Sequence, residues 1–180
     1  MRKRTLWLLM TAAVALSALA FQIFARQNAQ TKKKETEALE WHTFDKGYER
    51  ALKEKKLLVV DFYTAWCHWC KVMDRETYGN KSVIDYARQN AILAKVDAET
   101  DEKYKFKDAS YSGRELSMMF GVRGFPTTSF MNEKGELLTS VSGYIPADRF
   151  LVILKYFAGN WYDKMSFDEF QKKQQAPGKG

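Results

Sequence analysis

The run Leu57–Tyr63 (LLVVDFY) is followed, after three residues, by Cys67-His68-Trp69-Cys70, and this succession restricts the fold more than any other feature of the chain. A short run so rich in apolar, β-branched and aromatic residues reads as a strand covered on both faces. Cys67 or its neighbour then opens a helix reaching to about residue 78, with Gly79 as its punctuation. The single charge in the strand, Asp61, is costly to bury unless it has a partner or a task.

The remaining pattern extends this unit in both directions. Residues 45–54 read as a helix, Ser82 as the N-cap of a helix to residue 90, and 91–96 as a second strand. A charged loop at 99–111 precedes a helix over 112–120 that stops at Gly121. Strands at 127–131 and 136–142 form a hairpin around 132–135, and 147–158 is a helix. Strands alternating with helices and ending in a hairpin predict an α/β fold, with a central mixed sheet flanked by helices. The segment 159–170 carries Trp, Tyr and Phe and is expected to be a helical extension packed on the 41–158 domain, with 171–180 a disordered tail.

Arg2, Lys3 and Arg4 precede an apolar run over 6–24 that only Thr11, Ser17 and Gln22 interrupt, which reads as an export signal. Ala18 and Ala20 offer a small-x-small cleavage site, whereas about 19 apolar residues are long enough to span a bilayer. The expectation over 1–25 is therefore a signal peptide or membrane anchor, with an uncleaved anchor in the inner membrane favoured. The basic cluster keeps its start inside and places the rest outside the cytoplasm, on the outer face of the membrane or free beyond it, although Lys32, Lys33 and Lys34 weaken the asymmetry. Residues 26–40 are polar and read as a linker. A chain of 180 residues, 46% apolar and 14% aromatic, has material for one packed domain. Its formal charge of +7 overstates any basic surface: without Arg2, Lys3 and Arg4, the 29 Lys and Arg fall to 26 against 22 acids, a net of +4. These charges are interspersed, which argues against nucleic-acid binding.

Cys67 and Cys70 are the only cysteines in the chain. Two placed at random over this length fall three apart in roughly one case in ninety, so the spacing asks for a reason. Haem attachment needs His after the second cysteine, where Lys71 stands, and a structural zinc site lacks ligands, since only His42 and His68 are available. A copper-type site built on two thiolates and a structural disulfide remain alternatives, although the disulfide would close too small a loop to be an effective staple. Redox chemistry has a mechanism at this position. The first turn of a helix presents unsatisfied N–H groups and the positive end of its dipole, which favour the Cys67 thiolate as nucleophile. Cys70, three residues on, shares its helical face and resolves a mixed disulfide. Protonated His68 would add to the thiolate's stabilisation, the alternative being an exposed imidazole with no role. Trp66 and Trp69 form an apolar rim for a substrate chain, the alternative for Trp66 being core packing. No cofactor or bound metal is called for.

Burial should raise the Asp61 pKa towards neutrality, where the carboxylate would take the proton of Cys70, directly or through water. Lys95, in the strand AILAKVD, is its expected charge partner. The alternative has Asp61 pointing out of a sheet edge and Lys95 reaching to water.

Taken together, these residues resemble the thioredoxin superfamily over about 41–157. Thioredoxins carry an Asp six residues before the first active-site Cys, a Trp just before that Cys, a Lys in the next strand, and a Gly-Ile-Arg-Gly-Ile-Pro-Thr segment before the hairpin. Asp61, Trp66, Lys95 and the segment Gly121-Val122-Arg123-Gly124-Phe125-Pro126-Thr127 stand at those positions. The resemblance implies that Pro126 is the family's cis-proline, that the backbone of Phe125 pairs with a substrate strand, and that Gly143 leaves room for substrate on the same face. The His-Trp dipeptide between the cysteines, the longer 99–111 loop and the 160–170 segment depart from cytosolic thioredoxin. Trp41-x-x-Phe and Asp61-Phe-Tyr-x-Ala-Trp-Cys-x-x-Cys-Lys-x-Met are similar to exported thioredoxin-like proteins. Those are related to the C-terminal domain of the bacterial transmembrane thiol reductase and to thioredoxins of sulfur-oxidation clusters. Such a protein is expected to reduce disulfides of exported proteins and to be recharged by a membrane or periplasmic thiol donor. The same residues leave open disulfide oxidation or isomerisation, and a non-catalytic binding or metal-handling module.

Overall fold

In the computed structural model, which describes residues 22, 24, 26, 27 and 38–175, the run LLVVDFY is the middle strand of a five-stranded mixed sheet. We label it β2 (Leu57–Tyr63). It runs parallel to β3 (Ala91–Asp97) and antiparallel to β6 (Thr127–Met131). A short β1 (Trp41–Thr43) lies parallel to β3 on one edge, and β7 (Leu137–Ser142) lies antiparallel to β6 on the other. The sheet order is β1-β3-β2-β6-β7.

The two faces of β2 meet two different cores. Leu57 and Val59 pack with Met73, Tyr78, Ile84, Phe130 and Phe150, under the helices α2 (His68–Glu76), α3 (Lys81–Asn90) and α5 (Ala147–Ala158). Leu58, Val60 and Phe62 pack with Phe44 of α1 (Phe44–Glu54), Leu116 of α4 (Gly113–Met119), Phe106 and Phe120. Burying each such side chain contributes about 1.5–3 kcal/mol, so five buried in a single strand pin its register. A slip of one residue would turn Asp61 away from Lys95 and into the aromatic cluster of Phe44, Phe106 and Phe120.

Several expectations are corrected by the structure. The charged 99–111 segment is not a plain loop: β4 (Lys103–Phe106) and β5 (Ala109–Ser112) form a separate hairpin whose Tyr104 and Phe106 point into the core. The cap of α3 is Asn80 rather than Ser82, because the Asn80 side chain accepts the N–H of both Ser82 (3.0 Å) and Val83 (3.4 Å). Leu39, expected in the linker, is buried in the core. Beyond a 3₁₀ turn at Trp161–Asp163, α6 (Phe167–Gln175) carries helix into the tail expected to be disordered. Ser166 and Glu169 cap its start reciprocally, and Phe170 anchors it against Tyr156 and Trp161. Apart from Gln22 and Phe24, which are helical, the expected signal or anchor over 1–25 lies outside the described residues, as do 28–37 of the linker and 176–180 of the tail. Among the described residues no helix is long and apolar enough to cross a membrane.

Candidate functional site

The chain leaves β2 at Tyr63, turns at 64–67 and enters α2 with Cys67 as its N-cap. The turn is closed by the Cys67 N–H donating to the Thr64 carbonyl at 3.2 Å. The Cys67 backbone is extended, and its Sγ accepts the N–H of Cys70 at 3.0 Å, the bond that a capping oxygen usually makes. Cys67 and Cys70 are joined as a disulfide with 5.3 Å between Cα atoms, and both are buried. When the bond is reduced, the same N–H and the helix's positive end face the Cys67 sulfur and favour its thiolate. Cys70 sits on the inner side of the first turn, positioned to return to Cys67.

Around this sulfur pair stands an aromatic rim. Trp66 is 66% exposed and Trp69 55%, so Trp66 is not a core residue. Trp66 Nε1 donates to Glu99 Oε2 at 3.0 Å while its ring meets Phe125 edge to face, 6.0 Å between centroids. Trp69 leans on Tyr144 at 5.6 Å and on His68 at 5.8 Å. His68 is the first residue of α2 and is exposed. The Phe125–Pro126 peptide is cis, as the resemblance implied. The N–H of Gly143 donates to the Pro126 carbonyl at 2.7 Å, and its φ of +89° is a conformation that a side chain would strain. A Cβ there would meet nothing within 4 Å, so the face beside Pro126 is open. Among the described residues, the backbone N–H and C=O of Phe125 enter none of the turn hydrogen bonds and lie outside the β2–β6 register.

Asp61 lies in the middle of the central strand, 2% exposed, which excludes the edge-strand alternative. Its register partner on β3 is Lys95 and on β6 Thr128. Lys95 Nζ is 3.7 Å from Asp61 Oδ2, while Asp61 Oδ1 has no hydrogen-bond partner. Burial pushes the Asp61 pKa up from 3.8 to about 6; Lys95 opposes the rise, and the nearby Asp74 charge adds to it. At neutral pH such a group lies within reach of either protonation state. Lys95 does not simply extend to water. Its side chain is 24% exposed, it bonds directly to Asp74, and its ammonium lies over the rings of Trp41, Tyr63 and Tyr78.

Sequence reasoning singled out Cys67, Cys70, Asp61, Lys95, Trp66, Trp69, His68, Phe125, Pro126 and Gly143, of which Cys67 is joined to Cys70, Lys95 lies beside Asp61, Trp66 meets Phe125, His68 meets Trp69 and Gly143 bonds to Pro126. It missed Asp74, Tyr78, Glu99 and Tyr144. One signal for Asp74 was available: it lies four residues after Cys70, on the same face of the helix. Among the described residues no three potential ligands cluster as a metal site, and His42 sits instead against Arg50 and Glu40.

A disulfide between two cysteines at a helix start, a cis-proline leading into the hairpin and a buried carboxylate in the central strand of a five-stranded mixed sheet are together the arrangement of a thioredoxin-like domain. Residues 44–158 match the thioredoxin-like domain family, and the chain belongs to it. A protein disulfide-isomerase from Datisca glomerata is 31% identical over 118 residues, 65% of this chain and 21% of that protein. The chain thus spans about a fifth of the length of the curated relatives it matches. Among solved structures, a candidate disulphide-isomerase from Bacteroides thetaiotaomicron is 30% identical with a TM-score of 0.53, covering 72% of this chain and 95% of that one. A thioredoxin-fold protein from Helicobacter pylori shares the fold at a TM-score of 0.61 and 22% identity, covering 68% of this chain and 82% of its own.

Proposed function

We propose that the protein reduces disulfides of exported proteins, with Cys67 as nucleophile and Cys70 as resolving thiol. The observation that carries this reading is the Cys67 sulfur at the N-cap of α2, already bonded to Cys70. In the reduced protein the Cys67 thiolate attacks one sulfur of the substrate disulfide, and the other substrate sulfur leaves as a thiolate. Cys70 then gives its proton to the Asp61 carboxylate, directly or through water, and its thiolate attacks Cys67 Sγ. The mixed disulfide breaks, the Cys67–Cys70 bond forms, and the second substrate thiolate leaves. Two electrons have passed from the dithiol to the substrate, and a thiol donor in the membrane or periplasm restores the reduced form. Lys95 tempers the charge of Asp61. Trp66, Trp69 and His68 contact the substrate chain, whose strand pairs with the free N–H and C=O of Phe125 beside Pro126 and over Gly143. The N-terminal segment carries the domain out of the cytoplasm and holds it at the membrane.

The test is a trap. With Cys70→Ser, the mixed disulfide on Cys67 has no resolving thiol, and exported proteins with cysteine pairs are expected to remain attached; recovery of no adduct from cells producing the full chain would refute substrate reduction. The Datisca relative, a protein disulfide-isomerase, favours isomerisation as a second reading. A reduction potential of about −270 mV, as in thioredoxin, supports reduction, whereas about −180 mV, as in protein disulfide isomerase, supports the second reading.

A further inference from the structure

Among the described residues, Lys95 supplies the ammonium beside Asp61, and it is shared. Its Nζ lies 3.7 Å from Asp61 Oδ2, beyond a good hydrogen bond, but makes a direct hydrogen bond to Asp74 Oδ1. Three aromatic faces hold it there, Trp41 at 4.8 Å, Tyr63 at 5.4 Å and Tyr78 at 5.8 Å. Such contacts fix a cation in place without neutralising it, so the two carboxylates divide its charge. The division runs against need. The Asp74 side chain is 46% exposed and has water available, while that of Asp61 is 3% exposed and has one oxygen without a partner.

We propose that Asp74 is a positioning residue for proton transfer at this site: by holding the Lys95 ammonium on its own carboxylate, it keeps that cation from closing on Asp61 and leaves Asp61 free to accept a proton. This rests on Asp61 being the acceptor in the resolving step. The groups facing Asp61 are Lys95 on β3, Asp74 on α2, Tyr78 just past α2, Tyr63 on its own strand and Thr128 on β6. Burial raises the pKa of both phenols, so they stay neutral through the working range, and Thr128 does not titrate. Lys95 and Asp74 are then the two charges that tune Asp61, the first lowering its pKa and the second raising it. Neutralising Asp74 acts twice in one direction: its repulsion disappears, and Lys95 is released towards Asp61.

The test is a carboxyl-carbon NMR titration of Asp61 in the oxidised full chain, where neither cysteine titrates, beside single-turnover kinetics of the reduced form. Asp74→Asn is expected to lower the Asp61 midpoint by about one pH unit, roughly tenfold in acidity, and to move the pH midpoint of the resolving step with it. Asp74→Glu, which keeps the charge, is expected to restore both. An Asp61 midpoint unmoved by Asp74→Asn overturns the proposal, as does Asp74→Glu behaving like the amide. Asp61→Asn tells the two failures apart: a resolving rate indifferent to it removes Asp61 as acceptor, and with it the positioning role, while leaving the NMR shift intact.

Discussion

Replacing Asp61 by Asn should make the protein more stable at neutral and alkaline pH. The carboxyl group titrates near 3.8 in an ordinary environment and near 6 in the folded chain, where burial penalises its charge. A group whose folded pKa lies above its unfolded one stabilises the fold fully below 3.8, and that contribution is lost as pH rises through about 6. The difference between the two values corresponds to about 3 kcal/mol of destabilisation once both states are ionised. Asn carries no such charge at any pH, and Lys95 keeps Asp74 as partner after the change. Urea unfolding of the oxidised native and Asp61→Asn proteins from pH 4 to pH 8 reads the effect. The stability advantage of the variant should grow by about 2–3 kcal/mol across that range. The pH-independent cost of an amide in place of a carboxyl group cancels in the comparison. An advantage that stays flat, or shrinks as pH rises, would refute the argument that burial holds this carboxylate high.

Two further outcomes follow from local geometry. A Cβ on Gly113 would lie 2.0 Å from the Asp97 carbonyl oxygen, so Gly113→Ala must push β3 and α4 apart; a loss of about 3 kcal/mol in urea unfolding is expected, and an unchanged midpoint would show that the contact relaxes freely. Ser112 caps α4 by accepting the Glu115 N–H at 3.1 Å while Glu115 Oε2 accepts the Ser112 N–H at 2.6 Å, so Ser112→Ala should cost about 1 kcal/mol by thermal unfolding, and no loss would mean that the cap contributes nothing.

The parts of the fold that the sequence made legible are those where local pattern and burial agree. β2 and β3 were visible because both are dense in apolar residues, and Thr127–Met131 with its return strand because turn residues separate them. β1 has three residues and no period to read. The β4–β5 hairpin hides its alternation among charges, and its turn uses Lys107 at a φ of 56° where Asn-Gly would have announced it. At α3 two good capping residues stood two apart, and sequence alone does not say which one the backbone presents to the free N–H groups. The extent of α6 was written in Ser166-x-x-Glu169, a capping signature outweighed by the polar composition that follows. At the site, the sulfurs, Asp61 and Lys95 were legible because each breaks a local rule: paired cysteines in a chain with no others, and charges inside apolar strands. Asp74 breaks no rule. A carboxylate on a half-exposed helix is ordinary, and its importance comes only from the reach of a lysine across the sheet.

That reach gives α2 two tasks. Cys67, Cys70 and Asp74 follow one another at spacings of three and four, so they line one side of a two-turn segment. At its start, the free N–H groups lower the proton affinity of the first sulfur. One turn beyond Cys70, Asp74 draws on the cation that would otherwise lower the proton affinity of Asp61 further. In the proposed cycle the nucleophile must be ionised while the acceptor beneath it stays basic enough to receive a proton from Cys70, and a uniform field would shift both groups in the same direction. Placing an electropositive end at Cys67 and an anion at Asp74 on the same rigid helix separates the two requirements over about one helical turn, 5.4 Å. The separation depends on α2 keeping its register over β2 and β3, and Met73 of α2, fully buried in the same core as Val59 and Leu93, holds it there.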